Sequence, residues 1–181
     1  MSIREIGDQT RLTQAEVARL SELISEWQML ADLSFADLVL WAPHEVSGFV
    51  AIAQVRPMTS ATVFTQDLVG TRVSIEERPL LKEVFETGAM IRDQDPIRLG
   101  EFNVKEELVP VNHQGKVISI ITRHRNIETM RTPSKLELNY REIANLLYRM
   151  VMTGEFPVHE ASYRSESAPR VGDGLVRLDK D

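Results

Sequence analysis

The histidines are the side chains in this sequence best suited to acid–base or metal chemistry, and their spacing supports neither. They are His44, His113, His124 and His159. No two of them have the spacing of metal ligands on one helix or loop. Two fall in or beside predicted turns, one ends a predicted strand and one lies in a polar segment. We interpret all four as loop or surface histidines and predict no metal site.

Adjacent carboxylates are a second possible source of chemistry, at Glu76-Glu77 and Glu106-Glu107. Neighbouring residues on a strand point to opposite faces of the sheet, so neither pair would form a catalytic dyad there. The motifs G-x-x-x-x-G-K-[ST], G-x-G-x-x-G, H-E-x-x-H and G-x-S-x-G are absent, and no cysteine occurs. We predict no catalytic residues, which makes a small free-standing enzyme the weakest functional hypothesis.

The composition limits the possible partners. The 181 residues carry a net charge of -6 at pH 7, without the Lys/Arg-rich stripe of a nucleic-acid-binding domain. With 43% hydrophobic residues, the chain can bury one core, so we expect one domain with appendages. No apolar run reaches the ~18 residues of a membrane span, and no basic, apolar leader is present. We expect a soluble, cytoplasmic protein that contacts neither membrane nor nucleic acid directly.

Two long helices are predicted near the ends of the chain. Thr13 and Glu16 have the spacing of a capping box, and Thr132-Pro133 supplies an N-cap and a first helical residue for a helix that ends at Gly154. Both helices carry wide apolar stripes. The residues we assign to packing or to a homodimer contact are Leu20, Leu23, Ile24, Trp27, Tyr140, Ile143, Leu146 and Leu147. The pattern leaves open which of them face the sheet and which face a second subunit.

Between these helices the hydrophobic period changes to that of strands. We predict a hairpin of strands 35–43 and 49–55, a short strand at 61–64, a helix from Pro79 to Gly88 and a second hairpin of strands 103–111 and 116–124 with the loop 112–115. The segment 92–102 is a candidate lid. This order predicts the α+β class, an antiparallel sheet covered by helices.

A few polar side chains interrupt this core pattern and are candidates for ligand binding. Gln54 and Arg56 alternate with Val50 and Ile52, and Trp41 and Phe64 could form apolar walls of a pocket. Arg98, in the candidate lid, completes the set. The alternative is that these residues bind no ligand. Arg56 would then be a charge at the end of a strand and Gln54 a hydrogen-bonded amide, while the two aromatic residues would belong to the core.

The C-terminal part differs in composition from the rest. Residues 157–169 are polar and aperiodic and are predicted to be a linker after a domain at 13–156, which residues 1–12 precede as an extension. The last stretch, RVGDGLVRLDKD (170–181), contains a turn cluster and then a strand-like run.

Several blocks together resemble one family. WQMLADLSFADLVLWAP, AQVRPMTSATVFTQDLVG, RDQDPIR, NVKEELVPV and RTPSKLELNY are similar to the N-terminal GAF-type sensor of soluble actinobacterial histidine kinases, the PdtaS type. Ser60-Ala61 departs from the family pattern, which has Gly-Pro there. The resemblance implies a GAF-like fold, with the end helices on one face of the sheet and a lid and ligand pocket on the other. It also implies that 170–181 is the start of a truncated PAS domain.

The same resemblance implies a function. The chain would be a signal-sensing and dimerisation module that relays its ligand state through its C-terminal helix to PAS and kinase domains. Through the kinase its partner would be a response regulator with an RNA-binding output. No family ligand motif can be matched here residue by residue, so the cofactor or ligand stays unknown. The alternative is a ligand-free interaction scaffold with a filled cavity.

Overall fold

The structure is a computed structural model, and it describes residues 8–92, 95–128 and 132–158. The helices are α1 (Gln14–Ser34), α2 (Pro79–Thr87) and α3 (Lys135–Thr153). The strands are β1 (Asp37–Pro43), β2 (Phe49–Val55), β3 (Arg72–Val73), β4 (Ile97–Leu99), β5 (Phe102–His113) and β6 (Lys116–Asn126). They form one antiparallel sheet in the order β3-β2-β1-β6-β5-β4. The predicted α+β class is confirmed.

The two faces of the sheet carry separate hydrophobic cores. Leu20, Leu23 and Trp27 of α1 and Tyr148 of α3 pack onto one face, and all four are at most 4% exposed. Leu81 and Val84 of α2 pack onto the other face with Trp41 and Phe49. The end helices therefore share one face, as predicted. Burial assigns Leu20, Leu23 and Trp27 to the core.

The capping box predicted for α1 is present. The Thr13 hydroxyl accepts from the backbone N–H of Glu16 at 3.3 Å, and the Glu16 carboxylate accepts from the backbone N–H of Thr13 at 2.7 Å. The first helical turn thus satisfies two of its own donors.

The start predicted for α3 is wrong by two residues. Its N-cap is Ser134, not Thr132, because Ser134 and Glu137 form a reciprocal capping box. The Ser134 hydroxyl accepts from Glu137 N at 3.2 Å, and Glu137 accepts from Ser134 N at 2.6 Å. Pro133 accordingly lies before the helix rather than at its first position. Gly154 ends the helix with a φ of 82°, as expected.

The loop predicted between β5 and β6 is too long. The strands continue to His113 and Lys116, leaving Gln114 and Gly115 as a two-residue turn with φ values of 51° and 79°. Positive φ at both positions is typical of the type I′ turn, which matches the twist of the paired strands.

A β-bulge reverses the faces predicted for β2. Leu40 pairs with Ala53 and Trp41 pairs with Ala51, which leaves Ile52 as the extra residue. Ile52 and Ala53 both belong to the core beneath the end helices. Gln54 therefore lies on the face opposite Val50 and Ile52, against the predicted alternation, because a bulge shifts the two-residue period by one.

The short strand predicted at 61–64 is absent, and β3 lies later in the chain. Two aspartates near the end of α1 instead accept hydrogen bonds from the backbone of the stretch 58–63. Asp32 accepts from the backbone N–H of Met58 at 2.7 Å, and Asp37 accepts from that of Val63 at 2.9 Å. Because these backbone donors bond to carboxylates, they are not available to a strand ladder.

The candidate lid at 92–102 is partly regular. Its residues 97–99 form β4, an edge strand paired with the start of β5, and residues 93 and 94 are outside the described part. The predicted linker and the strand-like run at 170–181 lie outside the described residues, apart from 157 and 158. None of the helices in the described ranges is both long and apolar enough for a membrane span.

Candidate functional site

A polar pocket of about 260 Å³ opens between the end helices and the sheet. Cationic side chains dominate the described residues that line it: Arg92, Lys105, Arg123, Arg125 and Arg141. Glu107, Ser34 and Asn145 line it as well. The pocket is therefore strongly basic, although the chain as a whole is acidic with a net charge of -6.

The sheet supplies the floor of this basic pocket through cross-strand pairs. Lys105 lies opposite Arg125, and Glu107 lies opposite Arg123, in the antiparallel register of β5 and β6. These residues continue the face that carries Val109 and Ile121 further along the same strands, which pack under the end helices. The walls come from α1, which ends at Ser34, and from α3.

α3 reaches the pocket with two side chains one turn apart. Arg141 and Asn145 have the i, i+4 spacing that places residues on the same side of a helix. The guanidinium of Arg141 lies 5.9 Å from the centroid of the Phe35 ring. Its Nε is buried and has no acceptor within the described part of the chain.

The cations in the pocket interact unequally with carboxylate. Arg123 forms an ion pair with Glu107, and both side chains are 11% exposed. Burial lowers the pKa of Arg125, and the neighbouring charges of Arg123 and Arg141 lower it further. Crowding of like charge in a partly buried site is unfavourable unless an anion compensates it.

Pocket residues also contact Tyr148, a residue of α3 with no exposed surface. The Arg123 guanidinium lies 5.1 Å from the centroid of the Tyr148 ring. The hydroxyls of Tyr148 and Ser34 are 3.2 Å apart, and Ser34 itself donates to the Leu30 carbonyl at 2.6 Å. Tyr148 is therefore the donor to Ser34. Two pocket residues thus help to hold the buried side of α3.

The opposite face of the sheet carries a buried polar network. Arg78 donates to Glu106 at 2.6 Å, and the His124 Nε2 atom lies 2.9 Å from the Thr122 hydroxyl and 3.5 Å from Glu106. Trp41 donates from Nε1 to the Thr122 hydroxyl at 2.9 Å. His124 is thus a core residue, and the prediction that it lies in a loop or on the surface is wrong.

The environment of His124 keeps the imidazole neutral. Burial, and secondarily the charge of Arg78, lower the pKa of His124 to about 3. The edge of one ring faces the other in the Phe64–His124 pair, with centroids 4.8 Å apart. The Nδ1 atom of His124 is buried and has no hydrogen-bond partner among the described residues.

The candidate ligand residues fall into two groups. Trp41 and Phe64 share the core on the α2 side of the sheet, and Gln54 accepts from the backbone N–H of Leu68, which packs on that core. Arg56 and Arg98 are exposed: Arg56 donates to the Gln66 carbonyl at 3.1 Å, and Arg98 lies on edge strand β4. The structure thus brings Trp41 and Phe64 into one cluster and leaves the two arginines at the surface.

Reasoning from the sequence missed the basic pocket. One signal for it exists, because Lys105 and Glu107 alternate on one strand and Arg123 and Arg125 alternate on its hairpin partner. The contributions of Arg92 and Arg141 depend on tertiary packing and carry no such signal. Within the described residues, no three His, Asp or Glu side chains are grouped so as to hold a metal ion.

Comparison with known families gives a direct result. The family described as "Histidine kinase PdtaS, GAF domain" matches residues 4–144, which is most of the chain. The chain belongs to the PdtaS GAF-domain family. The suggested resemblance is therefore confirmed. The matched family describes the GAF sensor domain of these kinases and not their kinase domain. The chain is therefore a non-catalytic sensor region, as expected.

Relatives of the PdtaS family extend this result. The sensor histidine kinase PdtaS of Mycolicibacterium smegmatis is 37% identical over 178 residues, and that of Mycobacterium tuberculosis is 36% identical over 183 residues. Each alignment covers 97% of this chain and 36% of the relative. The chain thus spans about a third of the length of these curated relatives.

A solved structure supports the GAF-like fold. The sensor region of a sensor histidine kinase superposes with a TM-score of 0.80 at 34% identity, covering 98% of this chain and 61% of the other. The curled antiparallel sheet with helices on both faces is therefore shared with a sensor region of the same kind.

Proposed function

We propose that this chain is the cytoplasmic signal-sensing and dimerisation module of a two-component sensor histidine kinase. Its α3 helix relays ligand state to PAS and kinase domains that follow in the same protein, and the kinase acts on a response regulator with an RNA-binding output. Membership of the PdtaS GAF-domain family supports the sensory part of this proposal. The relay and the dimer rest on the arrangement of α3.

The observation that carries the relay is that α3 is both a wall of the basic pocket and a partner of its residues. Arg141 lines the pocket directly, while Arg123 and Ser34 line it and also contact Tyr148. A ligand changes the output only if it binds two arrangements of the helix with different affinity. Contacts shared between pocket and helix provide that difference.

The C-terminal end of α3 is anchored where a signal would leave the domain. Arg19 of α1, only 3% exposed, donates to the carbonyls of Gly154 and Pro157, each at 2.8 Å. Asn112 of β5 donates to the Met152 carbonyl at 2.7 Å. Movement of α3 would therefore change bonds at its exit, next to the segment leading to further domains.

The relay is tested by Tyr148→Phe in a kinase that contains this region together with its catalytic domains. The substitution removes the bond to Ser34, keeps the ring and is expected to cost about 1 kcal/mol of stability. We expect the rate of autophosphorylation to change by about twofold or more. Tyr140→Phe, at a half-buried position of α3 whose ring stacks on Phe35 with centroids 6.3 Å apart, keeps that ring contact, is the matched control and should leave the rate unchanged.

Equal autophosphorylation rates in the wild type and Tyr148→Phe would contradict the relay. A thermal melt of each variant shows whether the domain stays folded, so that a change of rate is not mistaken for unfolding.

A further inference from the structure

Among the described residues that line the basic pocket, arginines outnumber carboxylates. The arginines Arg92, Arg123, Arg125 and Arg141 line it beside one described carboxylate, Glu107, and Arg123 already pairs with that carboxylate. Like charges a few ångströms apart repel one another, more strongly where burial reduces the screening by water. An anion that enters the pocket would relieve this repulsion.

The donors of the pocket suit an oxyanion. Guanidinium groups present several N–H donors in a planar fork that matches phosphate and carboxylate oxygens. Arg123 and Arg125 come from one strand and Arg141 from the helix above it, so they surround the cavity from different directions. The buried Arg141 Nε has no acceptor in the described part of the chain, so the hydrogen-bonding capacity of this guanidinium is not fully used there.

The size and lining of the pocket select among anions. Its volume of about 260 Å³ is below the roughly 300 Å³ at which typical ligand sites begin. No aliphatic or aromatic side chain is present among the described lining residues, so a nucleobase or an acyl chain would find no apolar surface there. A small, strongly hydrated anion fits these properties better than a large amphipathic ligand.

We propose that this pocket binds a compact, multiply charged anion that carries phosphate, either as inorganic phosphate or as a small phosphorylated metabolite. Arg123, Arg125 and Arg141 bind the phosphate oxygens, while the side-chain amide of Asn145 provides a neutral donor. The signalling meaning of this site rests on the proposed function. Binding itself does not depend on it.

The experiment measures anion binding to this chain by calorimetry and thermal unfolding. Inorganic phosphate and pyrophosphate are titrated at constant ionic strength, with sulfate as the reference because both ions stabilise proteins nonspecifically. Arg125→Gln and Arg141→Gln remove one pocket cation each. Arg98→Gln, at an exposed position on edge strand β4, is the matched control.

We expect phosphate or pyrophosphate to bind the wild type and Arg98→Gln alike. The pocket variants should bind at least about tenfold more weakly, equivalent to ~1.4 kcal/mol. Without anion, Arg125→Gln should unfold at the same temperature as the wild type or higher, since the substitution relieves repulsion. A purely structural arginine would give the opposite result, a lower unfolding temperature in the absence of anion.

Two results would overturn the proposal. One is phosphate affinity that is unchanged in both pocket variants while they remain folded. The other is stabilisation by phosphate and sulfate that is as large in both pocket variants as in the wild type, which would mean a nonspecific salt effect. Comparing inorganic phosphate with small phosphate monoesters distinguishes the two possible sources of the anion. The relay test with Tyr148→Phe needs no added anion, so the failure of one proposal is distinguishable from that of the other.

Discussion

His124 links the stability of the sheet to pH because its imidazole is buried and neutral. Its pKa is about 3 in the folded protein, against an ordinary value of 6.5. The charged groups that face it are Arg78 and Glu106, which bind each other at 2.6 Å. Protonation of His124 would therefore place a charge inside a network whose ion pair is already complete.

We predict that stability falls as pH decreases below 6.5. Between that value and about 3, the unfolded chain binds a proton at residue 124 that the folded chain does not. The free energy of unfolding should therefore decrease by up to about 1.4 kcal/mol per pH unit from this residue. Urea denaturation of the wild type and His124→Gln at several pH values tests this. The variant is less stable throughout but should show a shallower pH slope, and identical slopes would contradict the prediction.

At the scale of elements, Gly48 fixes the approach of strand β3 to the rest of the sheet. It has a φ of 71°, and a Cβ atom there would lie 2.1 Å from the Val73 carbonyl oxygen. Val73 pairs with Phe49, so the clash would fall on the ladder between β2 and β3. Any side chain at position 48 must displace that backbone or open the pair.

Comparison of Gly48→Ala with Gly70→Ala isolates this contact. Gly70 also has a positive φ, 89°, but a Cβ there would meet nothing within 4 Å. We expect Gly70→Ala to cost about 1 kcal/mol from backbone strain alone. Gly48→Ala should cost ~1–3 kcal/mol more because of overpacking. Chemical denaturation gives both values, and equal losses would mean that β3 moves away at no cost.

The same scale shows what the sequence could predict. Capping boxes and two-residue periodicity are local, so α1, α2 and both hairpins were predictable with small boundary errors. The bulge at Ile52 was not, because nothing within β2 marks the residue that lacks a partner. The short strand predicted at 61–64 is absent, because the backbone N–H of Val63 bonds to Asp37, which lies far from it in sequence. Hydrophobic periodicity does not report contacts of that kind.

The candidate site shows more clearly what could not be predicted from the sequence. Trp41 and Phe64 share one cluster because both are apolar in a core pattern. The sequence pattern places His124 at the end of a strand. In the structure β6 continues past it to Asn126, and His124 is buried within the sheet. Arg92 and Arg141 meet the sheet cations only through tertiary packing. The net charge of the chain can be calculated from the sequence, but the place where cationic side chains come together cannot.

For the whole molecule, the burial of the apolar residues on α1 and α3 limits where two copies of the chain could contact each other. Leu23 is 1% exposed and packs in the core, so it is not part of a free helix flank. On α3, Leu146 is 39% exposed. Ile143 and Met150 lie three residues before and four residues after it, and both are only partly buried. We therefore propose that these three residues form the centre of the dimer contact.

We predict that the chain is a dimer at micromolar concentration and that Leu146→Glu converts it to a folded monomer. A charged side chain in an apolar contact between two copies of α3 would be desolvated without a partner, whereas in the monomer it is solvated and costs little. Val46→Glu is the matched control, since Val46 is 75% exposed and lies in the β1–β2 turn. Leu23→Glu, by contrast, should unfold the domain. Light scattering after size exclusion gives the masses, and a wild-type mass near 20.6 kDa across the micromolar range would exclude the dimer.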